Sequence, residues 1–326
     1  MKPSHFKRRQ LLSVTASLLA SLSGLAHAQD QRAIRRVFVG FPPGGTADNL
    51  GRALANQAPD AKSVYVIENK SGAAGQLAAL ATLQAPADGN HLLLTPSSVL
   101  TLAPQLYKTP LFNPLRDLQP LACLGDHSFA LAVSGRSAIN SLAEYIAWVK
   151  NHPTLATFAS PGLGSAPHFL GVQMGRDIGT ALTHVPYRGV APGLQDLMAG
   201  QVMSSFSPLP TLLDLHQSGR IRILAVTSAT RLSSLPEVPT FAQAGLPNLQ
   251  LVEWYGLFAS AKTPATAVAS LSADIQKSLK TPAMLDAAKR LEVNLRYEDA
   301  ATLGKMVAQD QERWKGLVAQ SGVQLD

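Results

Sequence analysis

Short apolar runs alternate with amphipathic stretches along most of this 326-residue chain. In the amphipathic stretches, such as 142–150 and 192–199, apolar residues recur at helical spacing. Strands that alternate with helices favour a largely parallel sheet covered by those helices. We therefore predict an α/β fold, in one large or two medium domains. The runs typical of strands are 63–68, 91–95, 130–133, 156–159, 183–187 and 221–227.

The C-terminal part has a different pattern. Its segments 266–279, 282–291 and 300–320 are helical in spacing, and no convincing strand separates them. We expect these three helices to pack back on the first domain. No fixed repeat or flexible linker interrupts the chain, so two domains would be joined by short crossings.

The N-terminus has the three parts of a secretory signal peptide. Basic residues within 2–9 precede an apolar segment, 11–25, and a small-x-small cleavage site follows. We predict that residues 1–28 are a signal peptide cleaved after Ala28, and that the exported mature chain begins at Gln29. An arginine pair in the basic part also resembles a twin-arginine signal, so the export route stays open.

The leader supplies four of the basic residues, which is more than half of the formal charge of +7. The mature chain has no basic run and no interleaving of basic and aromatic residues, which argues against nucleic-acid binding. No later segment reaches the roughly 18 apolar residues that indicate a membrane span, so we expect no membrane insertion after cleavage. Cys123 is the only cysteine and lies in an apolar run, which predicts a buried, inert thiol.

A glycine-rich turn follows the first apolar run, in the sequence VGFPPGGTADNLGRALANQ at 39–57. After it, apolar residues recur at helical spacing from Leu50 onward. Backbone N–H groups at a helix start lack intrahelical partners and carry the positive end of the helix dipole. This loop can therefore receive an anion without Lys or Arg. We expect Gly45 to approach that anion with its bare backbone, at a position that needs conformational freedom.

The same strand–loop–helix pattern recurs at 162–165 and 187–189, and more weakly at Ser97 and Ser98. In an open α/β sheet, ligands bind at loops beyond the carboxyl ends of strands. Together these loops predict a pocket rich in amide and hydroxyl donors. The alternative for each loop is an ordinary turn, in which glycine serves the backbone and Asp or Ser caps a helix.

Sequence fingerprints of enzymes fail at these loops. Residues 162–164 begin like a dinucleotide-binding motif, but Pro167 stands where the third glycine belongs. The chain has no P-loop, no Gly-x-Ser-x-Gly elbow and no His-Glu-x-x-His helix. An exported hydrolase that uses Ser165, His168 and Asp48 is an alternative, although capping and bracing roles are favoured. We expect no catalytic residue, no metal and no cofactor.

Three motifs along the chain are highly specific in combination. They are Pro-Pro-Gly-Gly-x-x-Asp at 42–48, Gly-x-Gly-Ser-x-x-His at 162–168 and Val-Pro-Tyr-basic-Gly at 185–189. With further segments in the same order, the mature chain resembles the Bug family, the periplasmic substrate-binding proteins of tripartite tricarboxylate transporters. The resemblance implies a type II periplasmic-binding-protein fold, with two α/β lobes, two crossing segments and a ligand cleft between the lobes.

The strand run 221–227 leads back toward the segment WYGLF and the terminal helices, which suggests limits for the two lobes, and the resemblance implies a function. One lobe is expected to contain 29–125 and 230–326, and the other 126–229. The protein would be a periplasmic monomer that captures a small organic carboxylate, without chemistry, for the membrane subunits of a transporter. A ligand-dependent partner of a membrane sensor is the alternative. The ligand-binding positions that the resemblance implies are Pro43, Gly44, Gly45, Thr46, Asp48, Ser97, Ser98, Gly162, Gly164, Ser165, His168, Tyr187, Arg188 and Gly189.

Two departures from the family pattern bear on the ligand. Met203 and Ser207 stand where the family commonly has acidic or polar residues, at the edge of the second-lobe cleft. This loss of polarity favours a larger or less polar acid. Trp254, in the segment EWYGLF, is expected near the cleft, with a buried structural role as the alternative.

Overall fold

The computed structural model describes residues 33–57, 63–321 and 323–324. The predicted signal peptide and the new N-terminus at Gln29 lie outside these residues. The strands of the described part are β1 (Ala33–Val39), β2 (Ser63–Asn69), β3 (His91–Pro96), β4 (Leu118–Ser134), β5 (Thr157–Ser160), β6 (Thr183–Pro186), β7 (Ser204–Pro208), β8 (Ile221–Val226), β9 (Val252–Ser260) and β10 (Asn294–Asp299). The α-helices are α1 (Thr46–Ala55), α2 (Gln76–Gln84), α3 (Ser98–Thr101), α4 (Ala103–Leu106), α5 (Pro114–Asp117), α6 (Leu142–Asn151), α7 (Ala166–Asp177), α8 (Val190–Ala199), α9 (Leu213–Gln217), α10 (Ala265–Leu279), α11 (Pro282–Arg290) and α12 (Ala300–Ser321).

Two sheets share the long strand β4. In the first sheet the order is β2-β1-β3-β9-β4, and β10 also pairs with β4. In the second sheet the order is β4-β7-β5-β6, and β8 also pairs with β4. Residues 118–128 of β4 pair with β9, whereas 129–134 pair with β7 or β8. Strand β4 is therefore the first crossing between two lobes.

The second crossing lies between β8 and β9, and it is tied to the first. Thr227 Oγ1 donates a hydrogen bond to the carbonyl oxygen of Leu251 at 2.6 Å. The same hydroxyl accepts the backbone N–H of Phe129, in β4, at 2.8 Å. All three residues are buried. Thr227 thus connects both crossings at the junction of the lobes.

The predicted alternation of strands and helices is present, but the prediction of largely parallel sheets is wrong. Strand β1 is parallel to β2 and β3, and β5 is parallel to β6 and β7. Strands β4 and β9 run antiparallel to every neighbour. Strand β9 was missed because its residues from Glu253 onward are all buried. A strand buried on both faces lacks the alternation by which strands are recognised in a sequence.

The prediction that no strand separates the C-terminal helices is also wrong. Strand β10 lies between α11 and α12 and pairs with β4. Its sequence, NLRYED, is charged, and its residues are exposed or only partly buried. Edge strands of this kind do not form the apolar runs that mark a buried strand.

The C-terminal helices pack largely as expected. Leu271 and Ile275 of α10 belong to the apolar cluster under the first sheet, together with Leu257 of β9. Helix α12 reaches further, because Trp314 near its end packs edge-on against Phe169 of α7, with ring centroids 4.9 Å apart. The last helix therefore contacts the second lobe as well as the first.

Two other expectations were that the mature chain has no membrane-spanning segment and that Cys123 is buried. Among the described residues, no helix is long and apolar enough to cross a membrane. Cys123 is fully buried in β4, and burial raises the pKa of its thiol to about 11. Such a thiol stays protonated, so it is the inert cysteine that its apolar surroundings predict.

Candidate ligand-binding site

A cavity of about 340 Å³ lies between the lobes. Its walls come from β9 and from the segments that follow β1, β3, β5, β6 and β7. Most lining side chains are apolar and prolines are frequent, including Pro42, Pro161 and Pro208. Within the described ranges, no group of three His, Cys, Asp or Glu side chains is placed to hold a metal ion. Recognition in such a cavity falls to a few polar groups.

The first glycine loop, residues 43–46, turns the chain into α1. Gly44 has a φ of +87°, which favours glycine. Gly45 has φ −75° and ψ 166°, an extended conformation that any residue adopts. A Cβ at Gly45 would meet only the carbonyl oxygen of Pro42, at 3.7 Å. The prediction that Gly45 needs conformational freedom is therefore wrong, and Gly44 is the residue that needs it.

The start of α1 leaves several amides unpaired. Gly45 is its N-cap and has no side chain to accept a hydrogen bond from the first turn. The N–H groups of Gly45, Thr46 and Ala47 donate to no residue that the structure describes, and all three residues line the cavity. Unpaired amides at the positive end of a helix dipole attract an anion. The Gly44 amide is different, because it donates to Asp48 Oδ2 at 3.0 Å.

Asp48 braces this loop from behind. Its carboxylate is 2% exposed and accepts hydrogen bonds from Arg52, Asn69 and the Gly44 amide. Burial alone raises the pKa of Asp48, but these hydrogen bonds together outweigh it and hold the pKa below its ordinary value. The carboxylate therefore stays ionised and fixes the turn that presents the free amides.

The second glycine loop, residues 162–165, uses three of its four amides in local hydrogen bonds, and the Leu163 amide donates to no described residue. Ser165 is the N-cap of α7, and its Oγ accepts the His168 amide at 3.4 Å and donates to the Gly162 carbonyl at 2.7 Å. The Gly164 amide donates to His168 Nδ1 at 3.2 Å. The Gly162 and Ser165 amides are also hydrogen-bonded locally. This loop therefore has few free amide donors for a ligand.

His168 belongs to a stacked pair of imidazoles. Its ring lies 3.9 Å from that of His184, with 18° between the planes. Burial lowers the pKa of His168 to about 4 and that of His184 to about 3. His184 Nε2 is 2.7 Å from Ser160 Oγ, and neither of these residues lines the cavity. Both imidazoles are neutral near pH 7 and pack behind the second glycine loop.

The third loop, residues 187–189, leads from β6 into α8. Gly189 is the N-cap, with φ +97° and no side chain to cap the helix. The N–H groups of Val190 and Ala191 donate to no described residue, and both residues line the cavity. Arg188 also lines the cavity; it is exposed and makes no ion pair or hydrogen bond with any residue that the structure describes. The start of α8 is therefore a second cluster of unpaired amides.

The first and third loops touch across the cavity. A Cβ added to Gly189 would lie 2.9 Å from Cγ of Pro42. Only a residue without a side chain allows this approach. The lobes are therefore closed on each other here, and the starts of α1 and α8 open into the same enclosed space.

The cavity also contains a buried carboxyl that sequence reasoning missed. Glu253 of β9 is 5% exposed and lines the cavity. Its Oε1 accepts the Ser98 amide at 3.1 Å. Burial raises the pKa of Glu253 to about 7. The sequence feature that could have indicated it is a lone acidic residue in the apolar run LVEWYGLFA, directly before Trp254.

The cavity brings together eight of the predicted ligand-binding residues. They are Pro43, Gly44, Gly45, Thr46, Ser98, Ser165, Arg188 and Gly189. The others lie outside its lining and are Asp48, Ser97, Gly162, Gly164, His168 and Tyr187. Ser97 donates its amide to the Trp254 carbonyl at 2.8 Å, and the Tyr187 hydroxyl donates to Asp196 at 2.6 Å. These contacts support the loops.

The residues at which the chain departs from the family pattern lie outside the cavity lining. Ser207 Oγ is hydrogen-bonded to Ser205 Oγ at 2.9 Å, and Met203 packs against an apolar cluster. They give no basis for a less polar ligand. Trp254 is 5% exposed, and its Nε1 donates to Asp310 Oδ2 at 2.7 Å, so its role is structural.

Two α/β lobes, two crossings and an enclosed cleft with helix starts on both sides define a periplasmic binding protein. The chain belongs to the tripartite tricarboxylate transporter family receptors, because the model of that family, TctC, matches residues 50–323.

Relatives and solved structures agree with this membership. Protein BugT of Bordetella pertussis is 31% identical over 313 residues, which cover 95% of this chain and 95% of BugT. An R. palustris protein solved with adipate is 27% identical and has a TM-score of 0.85, covering 89% of this chain and 98% of its own. MatC from Rhodopseudomonas palustris, solved with bound malate, is 27% identical and has a TM-score of 0.82, covering 87% of this chain and 98% of its own.

Proposed function

We propose that this chain is a periplasmic receptor that captures a small dicarboxylate for a tripartite tricarboxylate-type transporter. The observation that carries the proposal is the set of unpaired amides of Gly45, Thr46 and Ala47 inside the closed cavity. Hydrogen bonds to a charged acceptor are about twice as strong as neutral ones, so a carboxylate is the group that these donors favour.

Two carboxylates are proposed rather than one because two helix starts open into the cavity. The second set of unpaired amides is that of Val190 and Ala191 at the start of α8. Arg188, on the same loop, adds a cation that no described residue neutralises. Adipate and malate, in the two similar structures, are both dicarboxylates. The Pro43–Thr46 loop and the start of α8 would each hold one end of the ligand.

Binding without chemistry is the proposed role, and the contacts of the hydrolase candidates support it. Ser165 Oγ donates to the Gly162 carbonyl and meets only the backbone of His168. The ring of His168 accepts a hydrogen bond from the Gly164 amide instead. Asp48 is engaged by Arg52 and the first glycine loop. No serine, imidazole and carboxylate come together here as nucleophile, base and orienting group.

The lobe limits and the export signal belong to the same proposal. We propose 29–125 with 230–326 as one lobe and 126–229 as the other; the change of pairing partner along β4 supports the first limit. Cleavage after Ala28 would release a monomer into the periplasm. Its partners there would be the membrane subunits of a transporter, with a membrane sensor as the alternative.

Thermal unfolding tests the function directly. The mature protein is refolded from denaturant to remove ligand retained from expression, then melted with succinate, malate, adipate, citrate, glutamate or benzoate. A ligand at a hundredfold excess over its dissociation constant adds about 2.7 kcal/mol to the free energy of unfolding. We expect at least one dicarboxylate to raise the melting temperature strongly, and the matching diamides to have little effect.

Two outcomes would contradict the proposal. Stabilisation by neutral sugars or cationic peptides, with none by any carboxylate, would remove the anion site and leave the two-lobe fold intact. Turnover of esters or amides of the same acids by the refolded protein would favour the hydrolase alternative.

A further inference from the structure

The buried carboxyl of Glu253 has no partner that would keep it charged. The nearest titratable nitrogen is His127 Nε2, 3.8 Å from Glu253 Oε2, which is beyond hydrogen-bonding distance. No lysine or arginine in the described residues forms an ion pair with it. Among the described residues its hydrogen-bond donors are the amide and the side chain of Ser98, both of them neutral groups. An ionised carboxylate buried without a cation is strongly disfavoured.

The groups that face Glu253 do not supply positive charge. His127, on β4, is fully buried, and burial lowers the pKa of its imidazole to about 3, so it is neutral. Tyr255, next but one on β9, stacks on His127 with ring centroids 4.9 Å apart. Burial holds the pKa of Tyr255 well above its ordinary value, so it is a neutral phenol. Asp310 of α12 adds a negative charge that also raises the pKa of Glu253.

Two further charged residues, Arg188 and Asp214, line the same cavity as Glu253. Both are exposed, so water screens them. Glu253 is therefore the one buried carboxyl among the lining residues of the described chain, and the buried phenol of Tyr255 beside it stays neutral. An anion that enters this cavity meets it directly.

We propose that the protonated carboxyl of Glu253 binds the dicarboxylate. If Glu253 is ionised in the ligand-free protein, binding is then accompanied by the uptake of one proton at this carboxyl. This inference rests on the proposed function, because it requires an anionic ligand. A neutral carboxyl donates a hydrogen bond to a carboxylate oxygen, whereas an ionised one repels it. Glu253 then selects anionic ligands under acidic conditions and weakens their binding under alkaline ones.

The sign of the pH dependence follows from linkage. In the free protein the pKa of Glu253 is about 7, because of burial. Below that pH the carboxyl is already neutral and affinity is constant. Above it, the proton must be taken from solution, so the dissociation constant rises by up to about tenfold per pH unit. The carboxylates of adipate and malate ionise well below this range and contribute no slope of their own.

The test compares the wild-type protein with Glu253→Gln. The amide oxygen of this variant keeps an acceptor for Ser98, its NH₂ group keeps a donor, and it does not titrate. Calorimetry with succinate, malate, glutarate and adipate from about pH 6 to about pH 9 should show affinity that falls with pH for the wild type and stays flat for Glu253→Gln. At about pH 8, wild-type binding should take up close to one proton, measured in two buffers of different ionisation enthalpy.

Glu312→Gln is the matched control, because Glu312 is an exposed carboxyl on α12. Its pH profile should follow the wild type. A flat wild-type profile, or the same slope in Glu253→Gln, would overturn the inference and leave the proposed function standing. Failure of all four probes to bind at any pH would remove the proposed function, and this inference with it.

A second measurement needs no ligand. A carboxyl whose pKa is higher in the folded chain stabilises the fold at acidic pH, and that contribution is lost as pH rises through its folded pKa of about 7. The melting temperature of the wild type, minus that of Glu253→Gln, should therefore decrease as the pH rises from about 5 to about 8. A constant difference over this range would show that Glu253 titrates normally, and would overturn the inference.

Discussion

The two glycine loops share a backbone plan and differ in what they leave free. Gly44 and Gly164 have φ of +87° and +79°, and each donates its amide to the side chain four residues on. The next residue is the N-cap of a helix, with φ −75° at Gly45 and φ −81° at Ser165. Only the serine has a side chain that occupies the first turn of its helix.

The difference lies in the N-cap side chain and in the residue two places after it. In the second lobe the Ser165 hydroxyl accepts the His168 amide and Pro167 has no amide, so only the Ala166 amide of that first turn is left without a described acceptor. In the first lobe Gly45 has no side chain, and the start of α1 is open to the cavity. We therefore propose different roles for two loops of the same backbone plan, the second as a support and the first as an anion site.

Replacing one glycine in each loop tests this contrast with the largest effect. Gly45→Val places a branched side chain among the free amides, and we expect it to weaken dicarboxylate binding about a hundredfold, the loss of one or two charge-assisted hydrogen bonds. Gly162→Val is the matched control, because its Cβ would meet nothing within 4 Å and Gly162 lies outside the cavity lining. Calorimetry with the strongest stabiliser of the thermal panel measures both.

The backbone at Gly45 accepts a side chain, so both variants should fold. Equal loss of affinity in the two variants would mean that both loops hold the ligand. Unchanged affinity in Gly45→Val would mean that the first loop does not hold the ligand.

The side chains that brace the loops should differ in their contribution to stability. Asp48→Ala leaves the Gly44 amide without its acceptor, and the Asn69 side chain keeps only its bond to the Phe41 carbonyl. The free energy of unfolding should fall by about 2 kcal/mol, because the lost acceptor is charged and buried. His168→Ala removes one hydrogen bond to a neutral ring, which should cost about 1 kcal/mol, and the cavity left beside His184 adds to that loss. Urea denaturation of the ligand-free proteins at neutral pH gives both values. A loss well below about 1 kcal/mol for Asp48→Ala would mean that its carboxylate does not brace the first loop.

The smallest expected effect is that of opening the second loop. Ser165→Gly removes the cap of α7, and glycine is nearly as good as serine at this position, so stability should fall by only a few tenths of a kcal/mol. We expect dicarboxylate affinity to change by less than about twofold, because the Ser165 hydroxyl is spent on the loop itself. Calorimetry that shows a loss comparable to that of Gly45→Val would place the serine in the ligand site.

The sequence predicted the fold class and most helices because their signals are local. Helical spacing over 142–150 and 192–199 matches α6 and α8 within two residues at either end. Strand β9 and the charged edge strand β10 could not be recognised in this way, since pairing with β4 decides them. Because these two antiparallel strands were not predicted, the sheets were expected to be largely parallel.

The site was predicted in part for a similar reason. The motifs at 42–48, 162–168 and 185–189 identify the loops, but they do not show which backbone amides are already hydrogen-bonded within each loop. That depends on the N-cap side chain and on contacts such as the one between Gly164 and His168. Glu253 was missed because its significance arises from burial beside a cavity, which no local pattern in β9 displays.

The hydroxyl of Thr227 gives the molecule a mechanical property that neither lobe has alone. It joins Phe129, where β4 changes sheet, to Leu251 on the returning segment. We expect neither lobe to unfold while the other stays folded, because both depend on the strand that they share, β4. Heat or denaturant should therefore unfold the described chain in a single cooperative step. A ligand bound in the cleft should then stabilise both lobes, including the parts of the sheets that it does not touch.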